Sequence, residues 1–394
     1  MENFTFYSPT YFVFGKETEN QTGELVKRYG GHKVLIHYGG GSVIRSGLLD
    51  RVKASLDAAG IEHVELGGVK ASPYMDLVYE GIELARKEGV DFILPVGGGS
   101  VMDSAKGIAF GALYDGDCWD YYTGKMGQVT EALPVGCVVT IAASGSEGST
   151  DSVVTLKTED GKELKRCADG DILRPLFAIM NPEIMMTLPP YQTASGIADI
   201  MAHCMERYFS HTKDCELTDR MLEAVMLTMI KEGKRVMKEP DNYQARANIM
   251  WAAMIAQNNI TGVGRAQDWG THHMDNELGI NYGISHGAGL ALLFPYWMRY
   301  AMKTQGTDKF VLFATRVWGK QLNLEDPETT ALEGIQDFQD FMKEIGMPTT
   351  ITEVGGKEED IPGMVANMFD GAPNHGNFVK LTPEIAAEIY KMAL

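Results

Sequence analysis

DFILPVGGGSVMDSAKG (91–107) sets an apolar run ahead of three glycines and a segment with helical spacing. Apolar residues at consecutive rather than alternate positions mark a strand covered on both faces, as in a parallel sheet with crossover helices. The pattern repeats along the first half. KVLIHY (33–38) runs into GGGSVIRSGLLDRVKASLDAAG, IEHVELGG (61–68) precedes a helical pattern near 75–88, and LPVGCVVT (133–140) reads as another buried strand. Alternation of strands and helices with Gly-rich turns predicts a parallel, Rossmann-like α/β sheet. Beyond NPEIMMTLPP (181–190) the pattern changes to long helical segments at 192–210, 214–237 and 242–260, with Met, Leu and Ala at helical spacing. A chain of 394 residues suits two domains. The expected division is a dinucleotide-binding α/β domain over 1–184 and an all-α domain over 185–394.

Composition narrows the partners. The apolar and charged fractions, 44% and 22%, are those of an ordinary globular protein. A net charge of −18 opposes binding to nucleic acid or to an anionic membrane surface. A small anion can still bind where backbone N–H groups converge. Five cysteines without a C-x-x-C pair suit a reducing compartment rather than a disulfide frame or zinc knuckle. MENFTFYSPTYFVFG lacks the basic start and continuous apolar core of a signal peptide, and no run reaches membrane-span length. A cytoplasmic location is expected.

The glycine turns carry the first chemistry. Gly97, Gly98 and Gly99 lie between a strand and a helix, where bare backbone admits a pyrophosphate to the positive helix end. Ser100 and Asp103 form an S-x-x-D pattern, which suits either a capping box or a cofactor contact. A second turn, YGGGS (38–42), lacks the acidic residue that accepts a ribose diol in NAD sites. Gly39, Gly40 and Ser42 instead leave room for a 2′-phosphate, which favours NADP(H). Ser42 as a plain helix N-cap is the alternative. A third turn, TIAASGSEGS (140–149), offers Thr140, Ser144 and Ser146.

The histidines carry the second. In GIADIMAHCME (196–206), Asp199 and His203 lie four residues apart and share a helix face. A local ion pair would explain them, and so would a metal. QDWGTHHMDNELGINYGISHG (267–287) adds His272 and His286. One carboxylate and three imidazoles suit Fe²⁺ or Zn²⁺ with an open position for a substrate oxygen, provided that the two segments meet. His32, His37, His63 and His211 show no partner pattern and read as structural or exposed.

With these motifs the chain resembles the iron-containing (group III) alcohol dehydrogenases, most closely the NADPH-dependent butanol dehydrogenase branch. The resemblance runs from PTYFVFGK through YGGGS, GGGSVMDSAKGIA, ASGSE, GIADIMAHCMERY and THHMDNELGINYGISHG to GNFVKLTPEIAAEIY. It implies a dehydroquinate synthase-like architecture; a homodimer is expected besides. It implies that Asp199, His203, His272 and His286 bind the metal. Gly97, Gly98, Gly99 and Ser100 would hold the pyrophosphate, with Gly39, Gly40 and Ser42 at the 2′-phosphate. Thr140, Ser144, Ser146 and Lys162 would line the rest of the cofactor site. The chain departs from the family at Asn276, where a second histidine is common one turn beyond His272, and at Ser149, where the branch often has Asn. His273 is out of phase by about 100° and cannot replace the missing histidine.

The expected reaction is hydride transfer between NADP(H) and a short-chain primary alcohol or aldehyde, butanol-like in size. The metal would stabilise charge on the substrate oxygen in a cleft between the domains. Two other readings stand beside it: a dehydroquinate synthase-like lyase, which needs basic residues for an anionic substrate, and a noncatalytic nucleotide-binding protein.

Overall fold

A computed structural model describes residues 1–394. The chain forms two compact units, Tyr7–Thr187 and Met1–Phe6 together with Leu188–Leu394. The second unit thus includes the first six residues, which the sequence grouped with the sheet. Their partners are distant loops: Glu2 N donates to Gly264 O at 2.8 Å and the Met1 ammonium to Lys213 O at 2.8 Å. Thr212 Oγ1 donates to the Glu2 carboxylate at 2.6 Å. Nothing in the aromatic run of residues 4–7 announces contacts so remote in sequence.

The first unit has strands β1 Tyr11–Phe14, β2 Lys33–Tyr38, β3 Glu62–Leu66, β4 Phe92–Gly97, β5 Gly136–Val139, β6 Asp151–Lys157, β7 Glu163–Asp169 and β8 Phe177–Met180. Its helices are α1 Thr22–Arg28, α2 Ser42–Arg45, α3 Leu48–Ala59, α4 Met75–Glu88, α5 Gly99–Gly111 and α6 Trp119–Tyr122. Six strands form one parallel sheet in the order β1-β8-β5-β4-β2-β3. The pleat sends successive side chains to opposite faces. Val34 and Ile36 join Leu48, Val52 and Leu56 on one face, while Leu35 and Ile93 join Met75, Val78, Ile82 and Ile108 on the other. Central strands buried on both faces explain the unbroken apolar runs. β6 and β7 form a separate antiparallel hairpin against α5, which the sequence pattern had not signalled.

His37 shows why a lone histidine sits in β2. Its Nδ1 lies 2.9 Å from Leu66 O and its Nε2 lies 2.8 Å from Ser104 Oγ. Burial pulls its pKa down to about 4, so the ring is a neutral bridge between the sheet and α5.

The second unit contains α7 Pro190–Tyr208, α8 Glu216–Lys238, α9 Tyr243–Gln257, α10 Gly270–Tyr282, α11 His286–Gln305, α12 Asp308–Arg316, α13 Pro327–Glu344, α14 Ile361–Phe369 and α15 Pro383–Met392. Local signals fix several starts: Asn242, Asp326 and Thr382 accept backbone N–H groups of Ala245, Thr329 and Ile385. α7 is buried from Thr193 to Tyr208 and packs on α8, α9 and α11. Enclosed in this way, α7 buries Asp199, His203, Glu206 and Arg207 along with its apolar residues. No helix is long and apolar enough to cross a membrane.

Candidate functional site

α7, α10 and α11 bring the metal-type residues of the two distant segments together. One donor atom each from Asp199, His272 and His286 lie within 4.8 Å of one another. Asp199 Oδ1 is 3.6 Å from His286 Nε2 and 3.8 Å from His203 Nε2. The His272 ring lies 5.1 Å from that of His203 and 5.0 Å from that of His286, centroid to centroid. His203 therefore borders the three that converge most closely. Burial pushes the pKa of both His203 and His272 well below the ordinary imidazole value, which keeps them neutral and able to act as ligands. Two buried nitrogens, His272 Nε2 and His203 Nδ1, have no hydrogen-bond partner. His272 Nε2, left without a partner while Glu206 holds Nδ1, belongs to the converging set and fits a divalent cation, whereas His203 turns Nε2 rather than Nδ1 toward Asp199.

Two buried carboxylates outside the expected ligand set, Glu206 and Asp275, orient it. Glu206 Oε1 accepts from His272 Nδ1 at 2.7 Å and from His272 N at 3.1 Å, while Oε2 accepts from Trp269 N at 2.7 Å. Glu206 thus caps the start of α10 and fixes the His272 proton on Nδ1, leaving Nε2 for a ligand. Asp275 Oδ2 does the same for His286 through Nδ1. Glu206 lies one turn beyond His203 on the helix face of Asp199, a spacing that is visible in retrospect but common in any helix. We expect Glu206→Gln to weaken divalent-metal affinity about 10- to 100-fold, measured by competition with a chelator. Unchanged affinity would mean that Glu206 only caps α10.

Glycines set the approach of α11. A Cβ at Gly287 would lie 1.9 Å from Ser195 O of α7, and one at Gly289 would lie 1.8 Å from Asp275 Oδ1. Glycine at both positions lets α11 come close to α7 and α10, with His286 at the point of approach.

His273 faces elsewhere, its ring stacked on His375 at 4.1 Å. It does not replace the histidine missing at Asn276, in agreement with its helical phase. The remaining histidines are accounted for locally: His32 meets Asp91, His63 meets Asp57, and His211 lies against Phe378.

The glycine turns sit at the carboxyl ends of β2, β4 and β5. Gly98 is the N-cap of α5 without any side-chain cap, so the Ser100–Asp103 capping box does not form. Asp103 instead accepts from Ser146 Oγ at 2.7 Å and from Val153 N at 3.2 Å. A Cβ at Gly98 would lie 2.2 Å from Ile141, and one at Gly99 would lie 2.2 Å from Ser144 Oγ. These glycines admit the neighbouring turn, a demand additional to the approach of any ligand. Thr140 N donates to Gly97 O at 3.1 Å and ties the two turns together. Gly41 caps α2 with φ 79°, and Ser42 is the first helical residue rather than the cap. Gly40 has open space around it, and a Cβ at Gly39 would rest against Val69 O. Lys162 lies at the tip of the β6–β7 hairpin, exposed and 3.6 Å from Asp160, with no bond to the glycine turns. Ser149 is buried and both of its oxygens accept from Lys106.

Residues 9–182 match the family model described as iron-containing alcohol dehydrogenase, and residues 193–394 match its C-terminal counterpart. The chain is 39% identical over 360 residues to NADH-dependent butanol dehydrogenase A of Clostridium acetobutylicum, covering 91% of both chains. It is 34% identical over 396 residues to the NADPH-dependent aldehyde reductase YqhD of Escherichia coli, covering 100% of both. A crystal structure of NADH-dependent butanol dehydrogenase A from Thermotoga maritima is similar with a TM-score of 0.95 at 39% identity, covering 100% of this chain and 99% of that one. The relatives divide between the two nucleotides, so the expected NADPH branch is not singled out. With its parallel-sheet and all-α units and its Asp–His metal site, the chain belongs to the iron-containing alcohol dehydrogenase family, metal-dependent NAD(P)H-linked oxidoreductases of alcohols and aldehydes.

Proposed function

We propose that this chain reduces short-chain aldehydes of about butanal size to primary alcohols, with NADPH as hydride donor and one Fe²⁺ or Zn²⁺ held by Asp199, His203, His272 and His286. The observation that carries the reading is the convergence of Asp199, His272 and His286 within 4.8 Å. When bound, the cation supplies Lewis acidity toward the substrate oxygen. The chain's own residues do the positioning. Asp199 brings the one carboxylate of the set, and Glu206 and Asp275 hold two imidazoles in one tautomer. Asn276 hydrogen-bonds but does not titrate near neutrality, so the pH profile should lack a proton relay at that position.

The preference for NADPH rests on the turn after β2. It carries no carboxylate, and a Cβ at Gly41 would lie 3.0 Å from Arg45 Nη1. Gly68 N donates to Gly39 O at 3.2 Å and Val69 N to Tyr38 O at 3.3 Å, which holds exposed Lys70 beside the same turn. Neither Arg45 nor Lys70 has an ion pair, in a chain of net charge −18. Two cations without partners suit a 2′-phosphate. Pyrophosphate at Gly97–Ser100 and further contacts from Thr140, Ser144 and Lys162 complete the proposed cradle. We expect NADPH to exceed NADH in kcat/KM with butanal, and Arg45→Ala to lower the NADPH value about 10-fold with NADH unaffected. A wild type that prefers NADH would remove this part of the reading.

The proposed assembly is a homodimer. β1 is the outermost strand of its sheet, with Tyr11 45% and Phe14 39% exposed. Sedimentation equilibrium reads out the assembly directly.

A further inference from the structure

Five oxygens surround the ammonium of Lys106 on α5. Ser146 O and Oγ lie at 2.9 Å, Ser149 O at 3.1 Å, Ser149 Oγ at 3.2 Å and Asp151 O at 2.8 Å. Lys106 has no exposed surface. An ammonium has three protons, so five oxygens at these distances form a cation cage rather than a set of individually matched bonds. Three of the five are backbone carbonyls that point their negative ends at one spot. Without a positive charge there, those dipoles repel and the turn has no reason to hold its shape.

All five oxygens belong to residues 146–151, the end of the β5–β6 connection and the first residue of β6. The same connection presses on the glycine turn of α5, with Ile141 against Gly98 and Ser144 against Gly99. Ser146 Oγ also donates to Asp103, and Ser152 Oγ donates to Asp103 O at 2.7 Å. The connection is thus anchored to α5 through one buried charge and its neighbours.

We propose that Lys106 is a positioning residue for the nucleotide: an internal cation that shapes residues 144–151 into the wall of the cofactor cradle. This rests on the reading that the nucleotide occupies the glycine turns. Lys106 itself, enclosed by its cage, does not touch the nucleotide. The chemistry of the cage predicts that a small free cation of the same kind can replace the side chain.

The test measures dissociation constants for NADPH and NADH by nucleotide fluorescence, using the full chain. Lys106→Ala is expected to bind about 10- to 100-fold more weakly than wild type, with unchanged metal content. Methylammonium should restore affinity, whereas tetramethylammonium at equal ionic strength should not, because it is too large and has no N–H. Equal binding by Lys106→Ala and wild type overturns the proposal, as does a loss on which the two amines act alike. Should Lys106→Ala fail to fold, Ser149→Ala decides. It removes one oxygen of the cage and should weaken binding about 2- to 5-fold; wild-type affinity there overturns the proposal. A wild type that binds neither nucleotide removes the underlying cofactor reading, an outcome distinct from a failure at Lys106 alone.

Discussion

Asp199→Ala is expected to yield a folded protein without bound metal and with kcat/KM for aldehyde reduction lowered at least about 10³-fold. Asp199 is the one carboxylate among the converging donors, within 4 Å of two imidazole nitrogens. Its loss leaves neutral imidazoles, which bind a divalent ion without charge compensation. Lewis-acid stabilisation of a developing oxyanion contributes several kcal/mol, and each 1.36 kcal/mol is about a factor of ten in rate. Asp199→Asn keeps the shape and loses the charge, so it should share the defect. Nucleotide binding should survive both changes, because the glycine turns belong to the other compact unit. Activity within about 10-fold of wild type in either variant would contradict the assigned role.

Gly287→Ala is expected to disrupt the same centre without touching a donor atom. The added Cβ would lie 1.9 Å from the Ser195 carbonyl oxygen, and backbone cannot move aside as a long side chain can. Overpacking of this kind costs about 1–3 kcal/mol, and relief requires α11 to withdraw from α7. His286 precedes Gly287 and moves with it. A displacement of about 1 Å can lower a rate about 10²-fold, so both metal affinity and kcat/KM should fall. Gly279→Ala is the control, since a Cβ there has only Ile284 O at 3.8 Å and lies within α10. It should be neutral or stabilising by up to about 1 kcal/mol. Equal behaviour of the two variants in thermal unfolding and metal titration would contradict the close-approach argument.

The sheet was legible because each central strand is a contiguous apolar run, the direct consequence of burial on both faces. The long helices were legible from the spacing of Met, Leu and Ala. The antiparallel hairpin of β6 and β7 escaped because its exposed and half-buried positions do not alternate cleanly. The site divides in the same way. Four-residue spacing reveals that Asp199 and His203 share a helix face. Their meeting with His272 and His286 depends on helix packing at Gly287 and Gly289, which spacing does not encode. Glu206 and Asp275 look like ordinary helix acids until the fold buries them against the imidazoles. Asp103 and Ser146 meet one another in the fold, and the S-x-x-D pattern forms no cap because Asp103 turns toward the β5–β6 connection. Ser149 is explained by the same cage around Lys106, which no local pattern in the sequence reveals.

The measurement that bears most directly on the metal centre is elemental analysis of the full chain purified without chelator, beside Asp199→Ala prepared identically. About one Fe²⁺ or Zn²⁺ per wild-type chain, absent from the variant, is the predicted result. A wild type that takes up neither ion even after incubation with excess of each, or a variant that keeps a full equivalent, would contradict it.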